Sequence, residues 1–268
     1  MRKRDLLYRE TFGQGPDLVM VHGWGMHSGI WRDFAEMLAA KARVTLVDLP
    51  GHGRSESIAG FSIDHLADAL METAPERAHW LGWSLGALPV LHIADQYPTR
   101  AKSIIVVAGS ARFVADSKNR GAENDWPGVD PALLAEFASA LEEDYEGTIR
   151  HFLGLQIFGM ENARLLVKEL AAKVAECDPP DGAALHSGLN LLRQADLREV
   201  LRRSIVPSLI ILGARDRLVP KSAGASMQAL NPRSELHVID GAAHLPFLTH
   251  PAETASFITD FVARHDGC

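Results

Sequence analysis

The chain is short of cysteine, of long apolar runs and of positive charge, and each shortage excludes something. Its two cysteines, Cys177 in a proline-rich loop and Cys268 at the C-terminus, cannot build a disulfide framework and read as free thiols in a reducing compartment. No stretch approaches the roughly 20 apolar residues that span a bilayer, so a membrane is not among the expected partners. Met1-Arg2-Lys3-Arg4-Asp5 is charged, but Tyr8-Arg9-Glu10 interrupts any apolar segment behind it, and no secretory signal is expected. The 27 Lys and Arg fall short of the 34 Asp and Glu, and a net charge of −7 argues against general nucleic-acid binding. Internal repeats and low-complexity tracts are missing too. What remains is a cytoplasmic globular protein of 268 residues, expected as a monomer, with room for one large α/β domain or a domain carrying an insertion.

The stretch that organises the rest is His79-Trp80-Leu81-Gly82-Trp83-Ser84-Leu85-Gly86-Ala87. An apolar run leads into Gly82-Trp83-Ser84-Leu85-Gly86, which fits G-x-S-x-G, and a small-residue, helix-forming segment follows to Tyr97. Strand, sharp turn and helix in that order are what a nucleophile elbow requires. The turn strains the serine backbone, so the residues two before and two after it must be nearly free of side chain. A glycine-rich strand-to-helix turn in any α/β protein would look similar, so the remaining chain has to supply a base, an acid and a second anion-binding donor.

Strands are expected at Leu6–Thr11, Asp17–Val21, Ala42–Val47, Ala101–Ala108, Ser208–Gly213 and Ser234–Ile239, with helices at Ile30–Ala40, at Ile63–Glu72 behind a Ser62 cap, and at Thr254–Ala263. Strands alternating with helices imply a mostly parallel sheet covered on both faces. The rhythm breaks from Arg112 to Leu197, where only helical patterns occur: Pro131–Glu142, Tyr145–Phe158, Glu161–Glu176 and one near Leu185–Leu192. This predicts a core of residues 1–111 and 198–268 and an inserted helical lid of residues 112–197. Residues 112–127, polar and glycine-containing, are expected to be a mobile hinge.

Open parallel sheets bind ligands beyond the carboxyl ends of their strands. Asp216 lies three residues past Gly213, and His244 follows the last strand in Asp240-Gly241-Ala242-Ala243-His244. With Ser84 they give the chain order Ser, Asp, His. A serine hydroxyl is a poor nucleophile, so an imidazole must take its proton and a carboxylate must fix the imidazole tautomer. His250 reads instead as a helix cap, Asp240 as a turn former, and Asp48 and His52 as parts of a structural turn. His22-Gly23-Trp24-Gly25 leaves the backbone free for the Trp24 N–H to converge with the Leu85 N–H on a developing oxyanion. The Trp24 indole is either a wall of the acyl pocket or plain core packing.

On these residues nearly the whole chain resembles an α/β-hydrolase with a helical lid. The closer resemblance is to the pimeloyl-[acyl-carrier protein] methyl ester esterases of biotin synthesis. It is carried by Val21-His22-Gly23-Trp24-Gly25-Met26, Gly82-Trp83-Ser84-Leu85-Gly86-Ala87-Leu88, Phe152-Leu153-Gly154-Leu155-Gln156 and the stretch Ala242–Glu253. The resemblance implies that Phe152, Leu153, Gly154, Leu155 and Gln156 line the substrate pocket, with Trp24, Ser84, Leu85 and His244 at its reacting end. It also implies an acyl-carrier protein as partner, met by basic lid residues; Arg164 and Lys168 match that pattern and Arg150 stands beside it. Gly147 and His151 occupy positions where the family tends to have arginines, and Asp144, Glu146, Glu161 and Glu169 dilute the patch, so an ordinary solvated face is the competing reading. The expected activity is that of a serine carboxylesterase, active also on small esters, without metal or organic cofactor. A lidded esterase, lactonase or carbon–carbon hydrolase of a free small molecule is the alternative enzyme, and a non-catalytic ligand receptor the alternative outside enzymes.

Overall fold

The computed structural model describes residues 7–116 and 125–267. Strands β1 (Arg9–Phe12), β2 (Asp17–Val21), β3 (Arg43–Val47), β4 (Ala78–Trp83), β5 (Ala101–Val107), β6 (Ser208–Gly213) and β7 (Glu235–Ile239) form one sheet in the order β1-β3-β2-β4-β5-β6-β7. β1 pairs antiparallel with β3, and all other pairings are parallel. The central strands are continuous apolar runs because both faces are covered: every residue of β4 and β6 is buried.

Helices α1 (Arg32–Ala39), α2 (Ile63–Thr73) and α3 (Ala87–Gln96) alternate with the first strands. α2 starts where Ser62 accepts a hydrogen bond from the His65 N–H, as its sequence predicts. Between β5 and β6 the chain forms α4 (Pro131–Glu143), α5 (Tyr145–Gln156), α6 (Ala163–Val174), α7 (Gly182–Gln194) and the short α8 (Arg198–Arg203). Asp130, Asp144 and Asp181 each cap a helix of this block by accepting from an N–H in its first turn. α9 (Lys221–Leu230) follows β6; α10 (Pro246–Thr249) and α11 (Pro251–His265) close the chain. α1 and α11 pack together, as do α2 with α3 and α8 with α9.

The helical block leaves and rejoins the sheet at a narrow neck. Leu197 N–H donates to the Ala111 carbonyl at 2.8 Å. Around that bond Arg112 pairs with Asp116 and Asp196, and Arg198 with the same two carboxylates. Phe137, Ile149, Phe152, Leu185 and Leu189 of the block belong to one hydrophobic cluster with the sheet residues. Of the expected hinge at 112–127, residues 117–124 lie outside the described residues, as do Met1–Leu6 and Cys268.

Three expectations shift. The first strand begins at Arg9, with Leu7 and Tyr8 outside it and the expected start at Leu6 outside the described residues, because its register with β3 ends at the Arg9–Val47 pair and Tyr8 instead bonds Ser55 Oγ and the Asp48 N–H. A lone bridge joins Val114 to Val129 inside the stretch expected to hold only helices. α11 starts at Pro251 rather than Thr254, since proline at the first turn lacks only an N–H that would be unpaired there.

Candidate active site

Ser84 sits where β4 turns into α3, with φ at +53°, a left-handed conformation that non-glycine residues seldom adopt. The flanking glycines explain how the turn closes. A Cβ on Gly82 would lie 2.3 Å from the Gly86 carbonyl oxygen, and one on Gly86 would lie 2.5 Å from that of Val21. The turn therefore presses the start of α3 against both β4 and β2, leaving Ser84 at the carboxyl end of the sheet.

Asp216 and His244 come to the same place from β6 and β7. Gly213 lets them meet: a Cβ there would stand 2.1 Å from the Ala243 carbonyl oxygen. Asp216 Oδ1 accepts from the Leu218 and Val219 N–H groups at 2.8 and 2.9 Å, which orients the carboxylate. Its Oδ2 accepts from His244 Nδ1 at 2.8 Å, and His244 Nε2 lies 2.9 Å from Ser84 Oγ. With the Nδ1 proton on the carboxylate side, Nε2 is left to accept from the serine hydroxyl. All three residues are buried, His244 completely.

The backbone of His244 is held from both sides. Trp83 Nε1 donates to its carbonyl at 2.9 Å, and its own N–H donates to the Gln156 carbonyl at 3.0 Å. The second partner belongs to the helical block. The same happens at the loop after β2, where Trp24 Nε1 donates to the Leu185 carbonyl of α7 at 2.8 Å. The Trp24 ring meets Phe152 edge-on, 4.8 Å between centroids. No acceptor among the described residues takes the Trp24 N–H. Gly23 abuts the serine, with a Cβ there only 3.1 Å from Ser84 Cβ.

In the segment 152–156, helical geometry separates the side chains. Phe152 and Gln156, four apart, share one helix face; the Phe152 ring meets Trp24, the Gln156 carbonyl holds His244, and the buried Gln156 amide has no partner among the described residues. Leu153 instead lines a cavity of about 460 Å³ between α5 and α6, together with Ile149, Arg150, Val174 and Cys177. Gly154 and Leu155 are half-buried. Arg150, Arg164 and Lys168 are exposed, and no carboxylate among the described residues pairs with them. Gly147 is explained locally: a Cβ would meet the Asp144 carboxylate that caps α5. The His151 ring packs against Phe137 at a tilt of 46°, 5.3 Å between centroids.

The other candidates have structural surroundings. Asp48 accepts from the Ser28 and Arg54 N–H groups, His52 bonds the Pro50 carbonyl, His250 stands at the start of α11 and Asp240 is exposed. The residues that sequence reasoning missed are the Gln156 and Leu185 carbonyls and the Trp83 indole. A main-chain carbonyl has no sequence signature, whereas a tryptophan one residue before the nucleophile was available as a signal.

Comparison with known proteins adds the lineage. The sequence profile of the alpha/beta hydrolase fold family matches residues 16–251. The chain is 44% identical to a pimeloyl-[acyl-carrier protein] methyl ester esterase of Methylococcus capsulatus, covering 96% of this chain and 98% of that one. It is 39% identical to the protein of the same description from Yersinia enterocolitica, with coverage of 96% and 98%. Among solved structures, a hydrolase from Pseudomonas aeruginosa superposes with a TM-score of 0.80 at 25% identity, covering 96% of this chain and 94% of that one. An enol-lactonase from Burkholderia xenovorans gives 0.81 at 20% identity and 96% coverage of both chains, a likeness of fold alone.

Proposed function

The chain belongs to the alpha/beta hydrolase fold family and, within it, to the pimeloyl-[acyl-carrier protein] methyl ester esterases, and on that premise we propose how it works. It is a serine carboxylesterase that hydrolyses the methyl ester of pimeloyl-[acyl-carrier protein] to the free carboxylate and methanol, a step of biotin synthesis. The observation that carries the chemistry is the unbroken relay from Ser84 Oγ through His244 to Asp216, at 2.9 and 2.8 Å.

Ser84 Oγ attacks the ester carbonyl as its proton passes to His244 Nε2. The negative charge that develops on the carbonyl oxygen is met by the Trp24 and Leu85 N–H groups. Asp216 stabilises the imidazolium, which then protonates the departing methoxide. A water molecule enters, gives its proton to His244 and cleaves the acyl-enzyme, releasing the pimeloyl carboxylate still attached to its carrier. Metal and organic cofactors have no part in this sequence.

Phe152, Gly154, Leu155 and Gln156 are assigned to the acyl pocket and residues 112–197 to a lid over it, while Leu153, which the resemblance also places in that pocket, lines the cavity between α5 and α6. A pimeloyl chain with five methylenes gains ~4 kcal/mol from a fitted apolar slot, enough to separate it from acetate but not from neighbouring lengths. The acidic carrier supplies the remaining selection through the unpaired Arg150, Arg164 and Lys168, and a cytoplasmic site of action goes with this reading.

The test is hydrolysis of pimeloyl-[acyl-carrier protein] methyl ester beside a p-nitrophenyl ester series. Demethylation of the conjugate by the wild-type protein, lost in Ser84→Ala together with labelling by a fluorophosphonate, is the expected result. Turnover of short free esters with none of the conjugate would keep the chemistry and discard the substrate.

A further inference from the structure

Two arginines flank the catalytic acid, and neither serves the relay. Along the loop after β6 the side chains alternate. Asp216 is buried and engaged with His244 and with the Leu218 and Val219 N–H groups, while Arg215 and Arg217 are exposed. Both reach the turn at residues 157–162, between α5 and α6. Arg215 Nη1 donates to the Gly159 carbonyl at 3.4 Å, and the Arg217 guanidinium lies over the Phe158 ring, 3.6 Å from its centroid. No carboxylate among the described residues pairs with either arginine.

Stacking occupies the flat face of a guanidinium and leaves free the N–H edge that grips a carboxylate through two parallel hydrogen bonds. The Phe158 ring beneath is itself 47% exposed, and Leu165 on α6 is 56% exposed. Arg164 and Lys168, four apart on α6 and exposed, are neighbours on one helix face, with Leu165 next to Arg164. The seam between this turn and the loop after β6 thus carries four cations, Arg164, Lys168, Arg215 and Arg217, against the carboxylates of Glu161 and Glu169, on a chain of net charge −7. Exposed apolar side chains set among unpaired cations are the complement of an acidic protein surface.

We propose that the acidic carrier protein docks across this seam, with Arg217 and the Phe158 ring at its centre and Arg215, Arg164 and Lys168 around them. The inference rests on the carrier-bound substrate of the reading above, and extends the contact from the helical block onto the catalytic core. Arg215 and Arg217 belong to the core, whereas residues 157–168 belong to the block. The surface is whole only while the two parts touch, so a partner bound to it favours that arrangement over any in which they separate. The arrangement so favoured is the one in which Gln156 holds His244 and Leu185 holds Trp24. A carrier-borne ester thereby steadies the site that cleaves it, and a free ester does not.

Kinetics on the methyl pimeloyl conjugate and on a p-nitrophenyl ester, side by side, test the docking. Arg217→Glu is expected to lower the ratio of the two kcat/KM values on the order of tenfold and to flatten the salt dependence of the conjugate, because charges at a contact rim act on encounter. Arg217→Lys, which keeps the charge, should recover most of the ratio. Equal losses on both substrates would make Arg217 a brace for the Asp216 loop and overturn the proposal, as would an unchanged ratio. Hydrogen exchange on the unmodified protein gives a second readout that stands even if Arg217→Glu fails to fold. Unacylated carrier should protect residues 157–162 and 214–218 together; protection confined to α6 places the carrier on the helical block alone and overturns the seam. Wild-type protein that cleaves the free ester but neither cleaves the conjugate nor gains protection from the carrier overturns the carrier reading itself, and the inference with it.

Discussion

His79 lies on β4, wholly buried, with Nδ1 2.7 Å from Ser103 Oγ and Nε2 3.5 Å from Asp266 Oδ1. Burial pushes its imidazole down to about 4, outweighing the help of Asp266. Between pH 6.5 and 4 the unfolded chain binds a proton there that the folded chain refuses, so stability is full above that window and is lost as pH falls through it. At 1.36 kcal/mol per pKa unit the loss is on the order of 3 kcal/mol by pH 4. His22, also depressed, adds to it with the same sign. Urea unfolding should therefore show a lower midpoint at pH 4.5 than at pH 7, and His79→Asn should flatten the profile; a profile parallel to wild type would clear His79 of the effect. Residues whose chemistry restricts their type were legible from the sequence: Ser84, Asp216 and His244 each follow a strand, and the structure brings the three within hydrogen-bond distance. His79 and His22 were not, because a buried histidine and a surface one look alike until their neighbours are known.

Elements bounded by turn chemistry were read closely, and elements held by tertiary contact alone were missed. β2 and β6 match their expected spans because apolar runs end at glycine or histidine turns. α9 went unread because its first residues, Lys221-Ser222-Ala223-Gly224-Ala225-Ser226, are too small to show apolar periodicity; Gly224 instead lets the helix sit close on Leu212 and Leu236. α7 makes a similar close approach that bears on function. A Cβ on Gly188 would lie 2.7 Å from Trp24 Cδ1 and 3.3 Å from Leu85 Cδ2, between the two proposed oxyanion donors. Gly188→Ala gains helix propensity of about 1 kcal/mol and loses about 1–3 kcal/mol to overpacking, so stability should fall by no more than about 2 kcal/mol. Displacing Trp24 should nonetheless cost kcat on the order of tenfold, since small misplacements at a reacting centre are amplified. Thermal unfolding and steady-state kinetics on the same preparation check both halves; an unchanged kcat would show that α7 sets nothing at that loop.

Across the whole molecule, the alternation of strands and helices was enough to read a parallel sheet with a helical insertion, but not how the insertion joins the catalytic loops. Those joints are two main-chain carbonyls, Gln156 holding His244 and Leu185 holding Trp24. Ser84 is only 4% exposed beneath them. On the proposed lid reading, such a catalyst would work on a duty cycle. With the lid shut, its base and its anion-binding loop would be in register; a lid lifted off Gln156 and Leu185 would release both. Loading and reacting would then alternate, and turnover would acquire a mechanical component that improving the ester does not remove. For an activated ester, kcat should fall as solvent viscosity is raised with sucrose, whereas a kcat indifferent to viscosity but slowed in heavy water would place the whole limit in proton transfer.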